Sequence, residues 1–311
     1  MEEEGFSKAT AVIACTAMAL LYVAILYAPT LILRLPPPPS LKSFLIRRFL
    51  CAAISSIVSL LVCALILPGR SREASILFGV YGIRVDHIWE AIVFPVSLTS
   101  LMYAGSLVHK SVLLADSWRQ NLNDGEDFSF EWAKSVVQEF LDSIISVASN
   151  VLAWRNYVVA PLTEELVFRA CMIPLLLCGG FKPYTVIYLC PIFFSLAHLN
   201  HLMEFYSKQN YSLVKTAVVV GLQLGYTVIF GSYASFLFIR TGHLLAPLVA
   251  HIFCNFMGLP VLFSRRKGMV SVSFVAGAVG FILVLFTMTR PELYNYRVDN
   301  CKCWHGYCSW S

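Results

Sequence analysis

The stretch from Pro161 to Gly180, PLTEELVFRACMIPLLLCGG, puts two adjacent carboxylates, Glu164 and Glu165, and the guanidinium of Arg169 inside a run that otherwise reads as a membrane-buried helix. At the bilayer centre each charge costs roughly 2.5–3.5 kcal/mol on insertion scales, and a Leu or Val returns only about 0.3–0.6. The three ionisable side chains therefore cannot face lipid. They must point at protein partners or at a water-filled cavity, and intramembrane charge so placed marks a functional site.

The rest of the chain agrees with that reading. Hydrophobic residues make up 58% and charged residues 13% of the sequence, against roughly 25% charged in a soluble domain. The expected fold class is an all-α, polytopic membrane protein. No separate soluble domain is visible, so residues 1–311 read as one integral membrane domain, with its chemistry in about 156–264 and a tail at about 291–311. The net charge of +5 is spread over short connections. It reads as topology signal and attraction to the lipid bilayer, with no nucleic-acid footprint.

Apolar runs at Ala9–Leu33, Phe49–Leu67, Ala91–Val108, Val158–Gly180, Thr185–Ala197, Thr216–Ile239, Leu244–Phe263 and Met269–Thr289 are mostly near the roughly 20 residues that a crossing needs. They predict about eight transmembrane helices enclosing an intramembrane cavity. Pro36–Pro39 forces an extended connector, because four prolines cannot donate helical hydrogen bonds. Arg34, Lys42, Arg47 and Arg48 make that connection the most basic one and argue for its cytoplasmic placement. Arg265, Arg266 and Lys267 fall on the same side if the amphipathic stretch Val136–Leu152 lies in the interface, with both termini then lumenal. Of the ten cysteines, seven sit singly in apolar runs, and Cys301, Cys303 and Cys308 cluster in the tail, where a lumenal location would permit a disulfide.

Three polar patches occupy the C-terminal half. Glu165 and Arg169 are four residues apart, on one helical face, so the arginine can neutralise the second glutamate and Glu164 is left without a local partner. The second patch is Phe194, Ser195, Leu196, Ala197, His198, with His201 one turn on. In the third, His251 and Asn255 again share a face. A bland reading exists for each: His201 and His243 near run ends suit interfacial packing, and Glu165 with Arg169 suits structural glue. Costly polar groups in three spans are harder to explain as packing.

Elimination narrows the chemistry. The motif-bearing spans contain no Asp, so a proton-sharing aspartate pair is excluded, and neither an H-E-x-x-H helix nor a G-x-S-x-G elbow occurs. What remains is a Glu and His able to activate water, with N–H donors able to hold an oxyanion, a set suited to amide hydrolysis.

These residues form E-E-x-x-x-R (Glu164 to Arg169), F-x-x-x-H (Phe194 to His198) and H-x-x-x-N (His251 to Asn255). In that order, on an apolar scaffold, they resemble the type II CAAX prenyl endopeptidase family, whose wider group includes proteins proposed in bacteriocin immunity. The resemblance implies a metal-free, cofactor-free, glutamate-dependent protease of the endoplasmic reticulum membrane. Its substrates would be farnesylated or geranylgeranylated CAAX proteins, from which it would release the last three residues. On that reading Glu164 and His198 activate water, and His251 and Asn255 hold the oxyanion. Glu165 and Arg169 fix the helix and receive the new carboxylate, with Phe194 in support. Two rivals stay open. One is a zinc protease ligated by Glu164, His198, His201 and His251; the other is a proton-coupled transporter with a Glu and His relay.

Overall fold

The computed structural model describes residues 6–67, 74–123, 138, 142, 145–209, 213–261 and 268–294. Among them every regular element is helical and no strand occurs, as the apolar composition requires of a chain whose backbone groups must be satisfied within lipid. Helix α1, Lys8–Ala24, starts where the Ser7 hydroxyl accepts a hydrogen bond from the Thr10 amide, and it continues through a 3-10 turn to Leu31. Pro36–Pro39 is an extended connector, as expected. Ser40 then caps α2, Leu41–Ile66, by accepting from the Ser43 amide. That cap starts α2 well before the apolar run at Phe49. Lys42, Arg47 and Arg48 therefore stand on a helix and not in a loop.

The run Ala91–Val108 divides into α3, Ile88–Met102, and α4, Ala104–Asn123, which meet at Tyr103 with a bend of 79°. Next comes a broken helix, Val151–Cys178, followed by α5 (Pro183–Gln209), α6 (Leu213–Thr241), α7 (Leu245–Met257) and α8 (Gly268–Met288). Part of the expected amphipathic helix Val136–Leu152 lies outside the described residues; residues 145–149 are helical and Asn150 is not. At its end the Asn150 side chain accepts from the Leu152 amide at 2.8 Å, so a new helix starts at Val151. The basic segment Arg265–Lys267 and the three tail cysteines also lie outside the described residues.

Four stretches among the described residues are long and apolar enough to cross a bilayer: Lys8–Leu31, Leu41–Ile66, Ala217–Thr241 and Gly268–Met288. A fifth is added if the bent pair α3 and α4 is one crossing. The expectation of about eight also counted Val158–Gly180, Thr185–Ala197 and Leu244–Phe263. The first of these is interrupted by non-α turns, and the other two give apolar helices of 10–17 residues.

The core forms where α1, α2 and α5 close around the broken helix. Every residue from Val167 to Cys178 is buried there, against Cys15, Met18, Cys63 and Val186. Burying a Leu or Phe side chain contributes roughly 1.5–3 kcal/mol in water, but within lipid the gain comes from close packing, which favours small contact residues. Gly277 of α8 shows this. A methyl group there would run into the Leu101 carbonyl oxygen and Ala104 Cβ at the α3–α4 bend. Gly280, one turn on, leaves 3.7 Å to the nearest Leu101 side-chain atom. Gly277→Ala should therefore lower stability by about 1–3 kcal/mol, and Gly280→Ala should be neutral or stabilising through its better helix propensity. Thermal unfolding in detergent checks this, and matching midpoints for the two variants would refute the close approach.

Candidate active site

Proline sets the geometry of the broken helix. Two π turns, Arg155–Val159 and Leu166–Cys171, flank the short α-helical turn Ala160–Glu165. Each precedes a proline, Pro161 or Pro174, that has no N–H to give the carbonyl four residues back. The backbone takes up the slack with wider bonds: Ala160 N–H donates to Arg155 O, and Met172 N–H reaches Val167 O. Such π turns locally re-aim side chains and recur at functional sites. Here they bracket the glutamate doublet.

The two glutamates have different surroundings. Glu165 is fully buried; its Oε1 accepts from Arg169 Nη1 at 3.1 Å and lies 2.7 Å from His251 Nδ1. A carboxylate paired with an arginine only accepts, so Nδ1 carries the proton and Nε2 faces the other way. Nε2 is 3.7 Å from Glu164 Oε2, too long for a direct hydrogen bond but close enough for one water to touch both. Glu164 keeps 14% side-chain exposure and lines a cleft between α1, α2 and the broken helix. His251 thus stands between the two carboxylates.

Helix α7, which carries His251, is held at both ends. At its start Leu244 N–H donates to Gly82 O at 2.8 Å, and His243 Nδ1 accepts from the Leu245 amide at 3.2 Å. His243 is therefore structural, as its position suggested. Gly82 has φ +67°, and a Cβ there would approach the Leu244 nitrogen to 2.8 Å, so only glycine fits. The same loop is tightened by Arg84, which donates to both Asp86 oxygens and holds that carboxyl below its usual range. At the far end the Tyr103 hydroxyl donates to Gly258 O at 2.7 Å.

Phe194, on α5, serves the site by stacking. The Arg169 guanidinium lies 4.7 Å from its ring centroid, and the ring meets His251 edge-on at 6.4 Å. Asn255 is exposed, and its Nδ2 donates to Asn156 O at 2.8 Å, which leaves one of its two N–H bonds for another acceptor. His198 and His201 fall on α5, and their side chains lie outside the described residues.

Two expectations change. The imidazole found beside Glu164 is that of His251, whose Nδ1 proton is committed to Glu165, so Nε2 is an acceptor that can hold a water but has no proton to give an oxyanion. Arg169 cannot receive a product carboxylate, because it is fully buried against Glu165 and Phe194. The guanidiniums that do line the cleft with Glu164 are those of Arg48 and Arg155. Sequence reasoning treated Arg48 as topology signal. It also passed over Tyr22, whose hydroxyl lies 3.0 Å from that of Thr163, next to Glu164. Among the described residues no group of three or more His, Cys, Asp or Glu side chains is placed to hold a metal ion.

Breaking a buried ion pair from one side leaves a bare charge, at a cost of about 3–5 kcal/mol. Arg169→Met should lose about that much. Adding Glu165→Leu should recover most of it, because replacing both partners by apolar groups is often neutral. Unfolding of the two singles and the double in detergent tests the coupling; additive losses would refute it.

The comparisons with known proteins bear on the same residues. The family described as "Type II CAAX prenyl endopeptidase Rce1-like" matches residues 146–257, the segment from just before the broken helix to the end of α7. The chain is 58% identical over 308 residues to CAAX prenyl protease 2 of Arabidopsis thaliana, covering 99% of this chain and 98% of that protein. It is 35% identical over 296 residues to CAAX prenyl protease 2 of Homo sapiens, covering 91% and 82% respectively. The Caenorhabditis elegans protein of the same name is 30% identical over 258 residues, with 80% and 86% covered. No solved structure matches the chain. With likeness at this level along nearly the whole length of its relatives, the chain belongs to the type II CAAX prenyl endopeptidase family.

Proposed function

We propose that this protein is an intramembrane endopeptidase that removes the C-terminal aaX tripeptide from farnesylated or geranylgeranylated CAAX proteins in the endoplasmic reticulum membrane. The observation that carries the mechanism is the line Glu164, His251, Glu165, Arg169, set among apolar helices with only the first carboxylate open to a cleft. Water held near Glu164 Oε2 and His251 Nε2 attacks the scissile carbonyl carbon, and Glu164 takes its proton. The Asn255 carboxamide supplies a donor to the tetrahedral oxyanion. As the C–N bond breaks, the proton passes to the leaving amine. His198 shares the water from α5, one helical turn after Phe194.

Several features support this assignment. Glu165 and Arg169 neutralise each other away from the cleft, so their role is to orient His251 and hold the broken helix. Counted as crossings, the apolar first part of α5, the short helix α7, the broken helix and the bent pair would bring the passes to about eight and wrap the site within the membrane. A prenyl tail suits such a site, because each buried CH₂ is worth about 0.8 kcal/mol and can arrive laterally from lipid. The cleft opens beside the basic first turns of α2, the end that the positive-inside rule assigns to the cytoplasm, where prenylated C termini are presented.

The test is cleavage of a farnesylated CAAX peptide by protein purified in detergent. Glu164→Gln should lose about 10²–10⁴ in kcat, the worth of a general base. Asn255→Ala should lose about 10²–10³, as removing one oxyanion donor typically does. Cleavage by Glu164→Gln at the wild-type rate would reject the mechanism, and activity lost to a chelator and restored by zinc would replace it with a metal-assisted one.

A further inference from the structure

The cleft that exposes Glu164 contains two guanidiniums that the hydrolytic step does not use. Arg48 enters from the second turn of α2 and Arg155 from the first π turn of the broken helix. The Arg48 guanidinium lies 4.7 Å from the Phe44 ring centroid, and its Nε is buried without a hydrogen-bond partner among the described residues. Neither arginine forms an ion pair within the described residues. Leu45, Val159 and Ala197 make the remaining wall largely apolar. Two cations in a narrow apolar cleft constitute a site for an anion with planar, two-oxygen geometry, because a guanidinium matches a carboxylate through paired N–H bonds.

We propose that Arg48 and Arg155 bind the α-carboxylate of the substrate's last residue and so set the distance from the chain end at which Glu164 cuts. This rests on the endopeptidase reading above. In that reaction the scissile bond lies three residues from a free carboxylate, about 10 Å along an extended chain. A chain end bound at the arginines then runs back through the same cleft to Glu164. After hydrolysis the tripeptide carries this carboxylate away, and the new carboxylate stays on the prenylated product.

An anionic lipid headgroup offers the same chemistry as a peptide carboxylate, so the experiment separates the two sources. Farnesylated CAAX peptides ending in a free acid or in a carboxamide are compared on the wild type, Arg48→Gln, Arg155→Gln and Arg48→Lys. Each is assayed in vesicles of zwitterionic lipid alone and in vesicles containing phosphatidylserine. The wild type should cleave the acid with kcat/KM about 10- to 100-fold above the amide, the worth of a charge-assisted hydrogen bond. Each Gln variant should bring that ratio close to one, mainly by raising KM for the acid, and Arg48→Lys should keep part of it. The ratio is internal to each variant and is therefore insensitive to how much of that variant folds. Equal cleavage of acid and amide by the wild type would overturn the proposal, as would a full ratio in both Gln variants. Loss of activity on both peptides alike, appearing only with phosphatidylserine, would assign the arginines to lipid and overturn it too. A wild type that cleaves neither peptide would instead overturn the endopeptidase reading, and this proposal with it.

Discussion

A fully buried carboxylate needs a fully buried cation, and the pairing of Glu165 with Arg169 is the constraint from which the rest of the site follows. Both side chains have no solvent exposure, and in a low-dielectric interior neither charge is tolerable without the other. The pair is not fully satisfied by hydrogen bonds: Glu165 Oε2 and Arg169 Nε and Nη2 find no partner among the described residues. Part of the deficit is met by the Phe194 ring under the guanidinium, since an aromatic face attracts a desolvated cation with about 2 kcal/mol or more. Closure of α6 against this arrangement requires the smallest residue. Gly231 passes Pro191 so closely that a Cβ would lie 2.9 Å from the proline ring and 3.4 Å from Arg169 Nη2.

From that anchor the site acquires its polarity. Glu165 fixes the proton on His251 Nδ1, which turns Nε2 toward Glu164. Two neighbouring residues of the same type thus divide the work by environment alone, one sealed in the core and one facing a cleft. The arrangement depends on α7 being held still, which explains why distant loops contribute. The Gly82 loop and the Tyr103 hydroxyl each clasp one end of the helix that carries His251. A shift of an ångström at either clasp would reach the reacting atoms undiminished, because the helix between them is rigid.

Much of this was legible in the sequence, and the failures have physical causes. Helical spacing found Glu165 with Arg169 because that pair is local, and the contact holds although Arg169 lies within the second π turn. The family resemblance was carried by three short motifs, and the chain's full-length likeness to its relatives agrees with it. Pairings between helices were not legible. The side chain of His198, which motif order suggested as the partner of Glu164, lies outside the described residues, and nothing in the spacing pointed to His251 at 3.7 Å from Glu164. The π turns were invisible because a hydropathy pattern reports apolar surface and not hydrogen-bond register, although Pro161 and Pro174 were the available signal. The bend at Tyr103 left no mark because both halves are apolar. Span counting meets a related limit: apolar length measures what lipid tolerates and says nothing of whether a segment stays helical across it.

The arginines show a further limit of reading charge by position. Arg48 near the end of an apolar run is the ordinary sign of a cytoplasmic boundary, and that reading is silent on the cleft which the residue lines. A residue at a membrane boundary can do both, since the cytoplasmic end of a span is also where a soluble protein's C terminus first meets the bilayer. Its guanidinium lies over the Phe44 ring and the residue lines the cleft, although a side chain of this length could equally snorkel to a headgroup. Hydrolysis beneath the headgroups needs a polar route from water to Glu164, and a route built from cations admits a carboxylate-bearing chain end more readily than the bilayer's apolar tails. On the proposal above, a charge of the kind that orients a span would also sort what enters the cleft.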